Sequence, residues 1–210
     1  MRDAPQLVTW RARGGGPHDL TRGAVLILPG GYASDRSRYC PLIDLELRGP
    51  GRRLAARGAA VGVGVHLLRY RYRGWNDADP VADTRWALDR LAERDGDVPV
   101  VLLGYSMGGR AALWAAAGRN VVAVAAIAPW LPGDDPIDQL AGRRVLMVHG
   151  TRDRSEARPE WSLDYAVRAR GVAVELTRCE LDGVGHHVLW RSPSARAMVG
   201  DFALGALVAR

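Results

Sequence analysis

The sequence predicts an α/β fold: a mostly parallel central sheet with helices packed on both faces. Short apolar runs alternate with stretches of helical periodicity along the chain. The runs are apolar throughout rather than at every second residue, which suits strands buried on both faces and joined by crossover helices. In addition, Val98–Leu103 passes through Gly104-Tyr105-Ser106-Met107-Gly108 straight into a helix-forming stretch, a sharp strand-turn-helix corner.

Taken in order, Leu7–Ala12 reads as a short entry strand that Gly14–Pro17 breaks. Ala24–Leu28 is an apolar strand running into Pro29-Gly30-Gly31, and a polar stretch leads to a helix over Pro50–Arg57. Ala60–Leu68 is the next strand, interrupted by Gly62 and Gly64. Over Pro80–Arg94, the residues Val81, Thr84, Leu88 and Leu91 fall near one face of a helix. Val98–Leu103 is the strand before the corner, and Gly109–Ala117, rich in good helix formers and closed by Gly118, is the helix after it. Val121–Ile127 and Val145–Val148 read as strands, Trp161–Arg170 as a helix stopped by Gly171, Val172–Thr177 as the last strand and Pro193–Val208 as the closing helix. No repeat, low-complexity tract or linker interrupts this alternation, so residues 1–210 are read as a single domain.

Composition narrows the function classes. The opening Met1-Arg-Asp-Ala-Pro-Gln6 carries no apolar segment and no run approaches a membrane span, so a cytoplasmic protein without a membrane partner is expected. Cys40 and Cys179 lie far apart and form no metal-binding spacing; two unpaired thiols, no metal and no cofactor are expected. The net charge of +6 comes with 29 basic residues that are all arginine, scattered rather than clustered. Together with abundant Ala and Gly this reads as coding bias. Such charge favours solubility and does not specify a nucleic-acid partner.

Chemistry concentrates at the corner. Gly104-Tyr105-Ser106-Met107-Gly108 is a G-x-S-x-G string with the strand before and helix after that a nucleophile elbow needs. Small residues at Gly104 and Gly108 relieve crowding in the turn, and Ser106 Oγ is placed at the carboxyl edge of the sheet and at a helix N-terminus, where negative charge is favoured. An active serine also needs a base, a group to orient it and an oxyanion hole. Val148-His149-Gly150-Thr151-Arg152-Asp153 sets an aspartate past a strand end, and Asp182-Gly183-Val184-Gly185-His186-His187 sets histidines in a Gly-rich loop.

The order Ser106, Asp153, His186 and these motifs resemble the α/β-hydrolases over nearly the whole chain, in particular the small lidless serine hydrolases of carboxylesterase or dienelactone-hydrolase kind. The resemblance implies an α/β-hydrolase fold without a large lid, with Ser106 as nucleophile, His186 as base and Asp153 as the acid that orients it. Asp134, Asp135 and Glu156 stand as alternative acids, and His187 as the alternative base one residue away. The oxyanion hole takes the N–H of Met107 and a second donor from Gly31 or Tyr32, with Tyr32 favoured. His149 is read as structural, and His18 and His66 are assigned no role.

Loops beyond the strand carboxyl ends line the ligand site in such sheets. Here they hold Tyr32, Tyr72, Trp75, Trp130, Leu131 and His187 as pocket candidates. Arginines over Arg69–Arg73 favour an anionic substrate unless Asp77, Asp79 or Asp83 neutralises them. The Pro129–Arg143 connection is too short for a helical lid. The expected function is hydrolysis of a small or medium carboxylic ester, thioester or lactone through an acyl-enzyme on Ser106, with a small-molecule acyl substrate as the partner. Acyl transfer to another acceptor and an idle hydrolase fold used for binding are the alternatives, and oligomeric state is not legible from the chain.

Overall fold

The computed structural model describes residues 4–10, 21–42 and 45–208. His18, the Gly14–Pro17 break and the end of the entry strand at Ala12 lie outside the described residues. In chain order the elements are β1 (Gln6–Trp10), β2 (Gly23–Leu28), α1 (Leu45–Ala59), β3 (Val63–Arg69), α2 (Asp79–Asp95), β4 (Val100–Tyr105), α3 (Met107–Trp114), β5 (Val121–Ile127), β6 (Arg144–Gly150), α4 (Pro159–Ala169), β7 (Glu175–Leu181), α5 (Val188–Arg191) and α6 (Pro193–Val208). The strands form one sheet in the order β1-β3-β2-β4-β5-β6-β7. Among the described strands only β1 runs antiparallel to its neighbour, β3.

The apolar strands sort their side chains by parity. Leu26, Leu28, Leu102, Val124 and Met147 are buried with residues of α2, α3 and α4 on one face. Val25, Ile27, Val101, Leu103 and Leu146 are buried with residues of α1, α5 and α6 on the other. Both faces are therefore covered, which explains the absence of polar alternation in β2, β4, β5 and β6. A side chain such as Leu102, at 0% exposure, contributes about 1.5–3 kcal/mol by burial.

Element boundaries differ from the sequence reading where a turn is set by partners. α1 begins at Leu45, well before Pro50, and ends at Ala59, just past Arg57, with Pro50 inside it. β3 begins at Val63 rather than Ala60 because Gly62, at φ 72°, makes the turn out of α1. The last strand is Glu175–Leu181, not Val172–Thr177. Val172 and Ala173 both donate their N–H to Ala169 O, extending the end of α4, and pairing begins at Arg144 opposite Glu175. The short α5 was not expected. Among the described residues no helix is long and apolar enough to cross a membrane.

His66 joins the edge of this sheet to α2. Its Nε2 lies 3.2 Å from Arg94 NH2 and its Nδ1 lies 3.1 Å from Thr9 Oγ1. Arg94 donates, so Nε2 accepts, and the Nδ1–H donates to Thr9. Burial and the nearby Arg94 charge lower the His66 pKa from 6.5 to about 4, with Asp95 opposing them. Between these values the unfolded chain binds a proton that the folded chain refuses, so stability falls as pH drops from 6.5 to about 4. At about 1.36 kcal/mol per pKa unit the loss from this group is roughly 3 kcal/mol. Urea unfolding of wild type and His66→Gln across this window is expected to show a shallower pH dependence in the variant; parallel curves would refute the assignment.

Candidate active site

The site is built at the carboxyl edge of β4, β6 and β7. Ser106 links β4 to α3 at φ 54° and ψ −119°, a backbone conformation that costs a non-glycine residue about 1–3 kcal/mol. Its N–H donates to Ile127 O (2.9 Å). Its carbonyl accepts from Gly109 (2.9 Å), Arg110 (3.2 Å) and Trp130 (3.2 Å). A Cβ on Gly104 would collide with the Gly108 carbonyl, and one on Gly108 would collide with the Leu28 carbonyl. The two glycines of the motif are thus required by close backbone contact.

Asp153 and His186 meet because β6 and β7 are neighbours in register, with Gly150 opposite Leu181. The loops beyond them are joined by Thr151 N–H to Leu181 O (3.0 Å), Arg152 N–H to Val184 O (2.9 Å) and Gly183 N–H to Thr151 Oγ1 (3.0 Å). His186 Nδ1 lies 2.6 Å from Asp153 Oδ2, and His186 Nε2 lies 3.1 Å from Ser106 Oγ. The carboxylate forces Nδ1 to be the donor, which leaves Nε2 to accept a hydrogen bond from the Ser106 hydroxyl. The His186 side chain is 20% exposed, and its ring lies 5.1 Å from that of Tyr105.

Asp153 is wholly buried. Burial by itself would raise its pKa, but hydrogen bonds from His149, His186 and Ser155 outweigh that and hold the carboxyl well below the usual carboxylate range. His149, also buried, places Nε2 3.2 Å from Asp153 Oδ2 and 2.9 Å from Ala157 O. Both partners are acceptors, so Nε2 carries the proton. Ser155 donates its N–H to Asp153 Oδ1 (2.9 Å), while its Oγ lies 3.1 Å from His186 Nδ1. Sequence reasoning missed Ser155; its signal is the Asp-x-Ser spacing, in which an Asp side chain caps a backbone N–H two residues on.

The oxyanion expectation needs one correction. Tyr32 N–H donates to Arg73 O at 3.0 Å, so Tyr32 has no backbone donor to offer the site. This bond belongs to a zip between two loops that also contains Gly74 N–H to Asp35 O, Trp75 N–H to Tyr32 O and Arg73 N–H to Ser37 O. Neither Gly31 N–H nor Met107 N–H has a backbone acceptor among the described residues. A Cβ on Gly31 would strike the Arg73 carbonyl and come within 2.7 Å of Met107 Sδ, so these two residues are in direct apposition.

A cavity of about 180 Å³ lies over the serine, lined by Gly31, Tyr32, Met107, Trp130, Ser155 and Glu156 among others. Of the pocket candidates it includes Tyr32 and Trp130 only. Trp75 and Leu131 are buried in the core, because they pack behind the wall rather than on it. Tyr72 pairs through its backbone with Arg38 and lines a different cavity. His187 is exposed, and its Nδ1 lies 3.4 Å from the Tyr105 hydroxyl rather than at Ser106. Of the alternative acids, Asp135 is paired with Arg110 at 2.5 Å, and Glu156 lines the cavity without a hydrogen bond to His186 among the described residues. The nearby arginines are neutralised: Arg71 by Asp83 (2.5 Å) and Asp79 (3.3 Å), Arg73 by Asp35 (3.6 Å). They do not line the cavity.

No protein-family model and no curated protein sequence matches this chain. Solved structures do. The chain is similar to the esterase Est1E of Butyrivibrio proteoclasticus with bound ferulic acid, at TM-score 0.70 and 13% identity over 98% of this chain and 96% of that one. It is similar to the butyrate-bound esterase Est2 of Thermogutta terrifontis at TM-score 0.70 and 17% identity, over 98% and 89%. An alpha-beta serine hydrolase homologue from Coxiella burnetii superposes at TM-score 0.66 and 14% identity, over 94% and 91%. The chain therefore has the α/β-hydrolase fold.

The share of His149 in holding Asp153 is testable. His149→Leu removes one donor from a buried carboxylate and is expected to cost about 2–4 kcal/mol in urea unfolding at pH 7. His149→Gln, which can present an N–H at the ε position, should recover at least half. Equal losses in the two variants would show that packing, not the donor, is what His149 supplies.

Proposed function

We propose that this chain is a serine hydrolase that cleaves a small or medium carboxylic ester, thioester or lactone through an acyl-enzyme on Ser106. The observation that supports it is the continuous line from Asp153 Oδ2 to His186 Nδ1 (2.6 Å) and from His186 Nε2 to Ser106 Oγ (3.1 Å) at a strained turn. Ser106 Oγ attacks the carbonyl carbon while its proton passes to His186 Nε2. The bond to the leaving group then breaks, and the leaving group takes that proton. Water repeats the sequence in the second half: His186 removes its proton, hydroxide adds to the acyl carbon and Ser106 leaves reprotonated. Asp153 holds the imidazole in the required tautomer and stabilises its charged form.

Met107 N–H, at the N-terminus of α3, and Gly31 N–H are the proposed donors to the tetrahedral oxyanion. The helix end contributes a favourable partial positive charge there. The small cavity, walled by Tyr32, Met107 and Trp130, and the absence of any arginine among its lining residues favour an uncharged acyl group of modest size over an anionic one.

Covalent labelling by a fluorophosphonate probe is expected for wild type and expected to vanish in Ser106→Ala. In His186→Ala it should fall by roughly a thousandfold or more, because the serine loses its base. No labelling of folded wild type, or labelling retained in Ser106→Ala, would sink the assignment.

A further inference from the structure

Arg110 lies one turn beyond Ser106 in α3, with its side chain 11% exposed. Its Nε–H donates to Asp135 Oδ1 at 2.5 Å, and Trp114 Nε1–H donates to the same oxygen at 2.6 Å. The guanidinium carbon sits 4.2 Å from the Trp75 ring centroid, 4.9 Å from Trp130 and 5.3 Å from Trp114. Trp75 meets Trp114 and Trp130 edge-on, at 5.3 Å and 6.3 Å. One cation is thus boxed by indoles from three segments: the turn after β3, the helix that follows the serine, and the connection after β5. Of the three rings only Trp130 lines the cavity over Ser106.

Asp135 lies further along the same connection as Trp130, and that connection is pinned at its far side. Arg168 donates to Asp135 O (3.0 Å), and the Tyr165 hydroxyl donates to Pro136 O (2.8 Å). Trp130 N–H, at the near side, is bound to Ser106 O. Burying a guanidinium and a carboxylate is expensive, and an apolar pair of similar volume would serve stability equally well. What the ionic pair adds is direction. With its fork fixed by Asp135, the guanidinium carbon stands over all three indole rings at 4.2, 4.9 and 5.3 Å, and a cation held in one place favours one position for each ring.

We infer that Arg110 is a positioning residue that fixes Trp130 as a wall of the cavity and so sets which acyl groups reach Ser106. It does so without a lid, through the helix that carries the nucleophile. The effect on selectivity rests on the ester-hydrolase reading; the effect on Trp130 does not.

The test uses Arg110→Met combined with Asp135→Asn, which removes both buried charges while Trp114 keeps an acceptor, and Arg110→Lys, which keeps the charge but loses the planar fork. Protein labelled with 5-fluorotryptophan reports Trp130 by 19F NMR, assigned with Trp130→Phe. In the double variant the Trp130 resonance is expected to shift or broaden. Across p-nitrophenyl esters from acetate to octanoate, KM for the longer chains relative to acetate should change by about fivefold, with kcat for each ester changing less. Arg110→Lys should fall between wild type and the double variant in both readouts, and supplies them if the double variant does not fold. An unmoved Trp130 resonance, or an unaltered chain-length preference despite a moved resonance, would overturn the inference. If wild type cleaves none of the esters, the hydrolase reading fails and the 19F spectra alone decide whether Arg110 holds Trp130.

Discussion

The backbone of Ser106 is held where an L-residue does not rest by choice, at φ 54° and ψ −119°. It stays there because the turn is over-determined on both sides. The preceding strand is buried from Val100 to Tyr105, and the following helix buries Met107, Ala111, Ala112 and Leu113. Hydrogen bonds to both the N–H and the carbonyl of Ser106 leave the peptide units no freedom to relax. Burial of several such side chains, at about 1.5–3 kcal/mol each, outweighs a local strain of about 1–3 kcal/mol. The direction of Oγ, the free N–H groups at the helix start and the entry of Arg110 into its aromatic box all follow from this turn.

The second half of the site depends on sheet register instead. Asp153 and His186 are far apart in the chain, and no local preference brings them together. Pairing of β6 with β7 ends with Gly150 opposite Leu181, and the two following loops are then tied to each other by main-chain bonds. A Cβ on Gly150 would collide with the Val184 carbonyl, so the approach of the histidine loop is as close as backbone allows. Three donors around a buried carboxylate keep Asp153 ionised, and an ionised Asp153 selects the His186 tautomer that faces Ser106 with a lone pair.

Loops rather than a separate domain shape the cavity. The segment after β2 and the segment after β3 are zipped by main-chain bonds, and Asn76 clamps Asp35 through both its side-chain atoms, at 2.9 Å and 3.0 Å. This arrangement uses the Tyr32 N–H and leaves the Gly31 N–H without a backbone partner among the described residues. It also delivers Trp75 to Arg110, so the Trp130 wall of the cavity is backed by a second layer of aromatic rings.

Much of the fold was legible because each element reports its own burial. Apolar strands such as Val121–Ile127 and the closing helix Pro193–Val208 have the bounds that periodicity predicts, and the parallel sheet follows from strands with no polar face. The meeting of Ser106, Asp153 and His186 was legible too, because their motifs combine glycine placement with a strand end. Tyr32 as a donor, and Tyr72, Trp75, Leu131 and His187 as pocket walls, were not: position after a strand says that a residue is near the edge, not which way it faces. Ser155, the second donor role of His149 and the Arg110 box were settled only by tertiary packing. Their partners come from other strands and loops, and a hydrogen bond or a ring contact is a property of the pair, which neither residue's local sequence encodes.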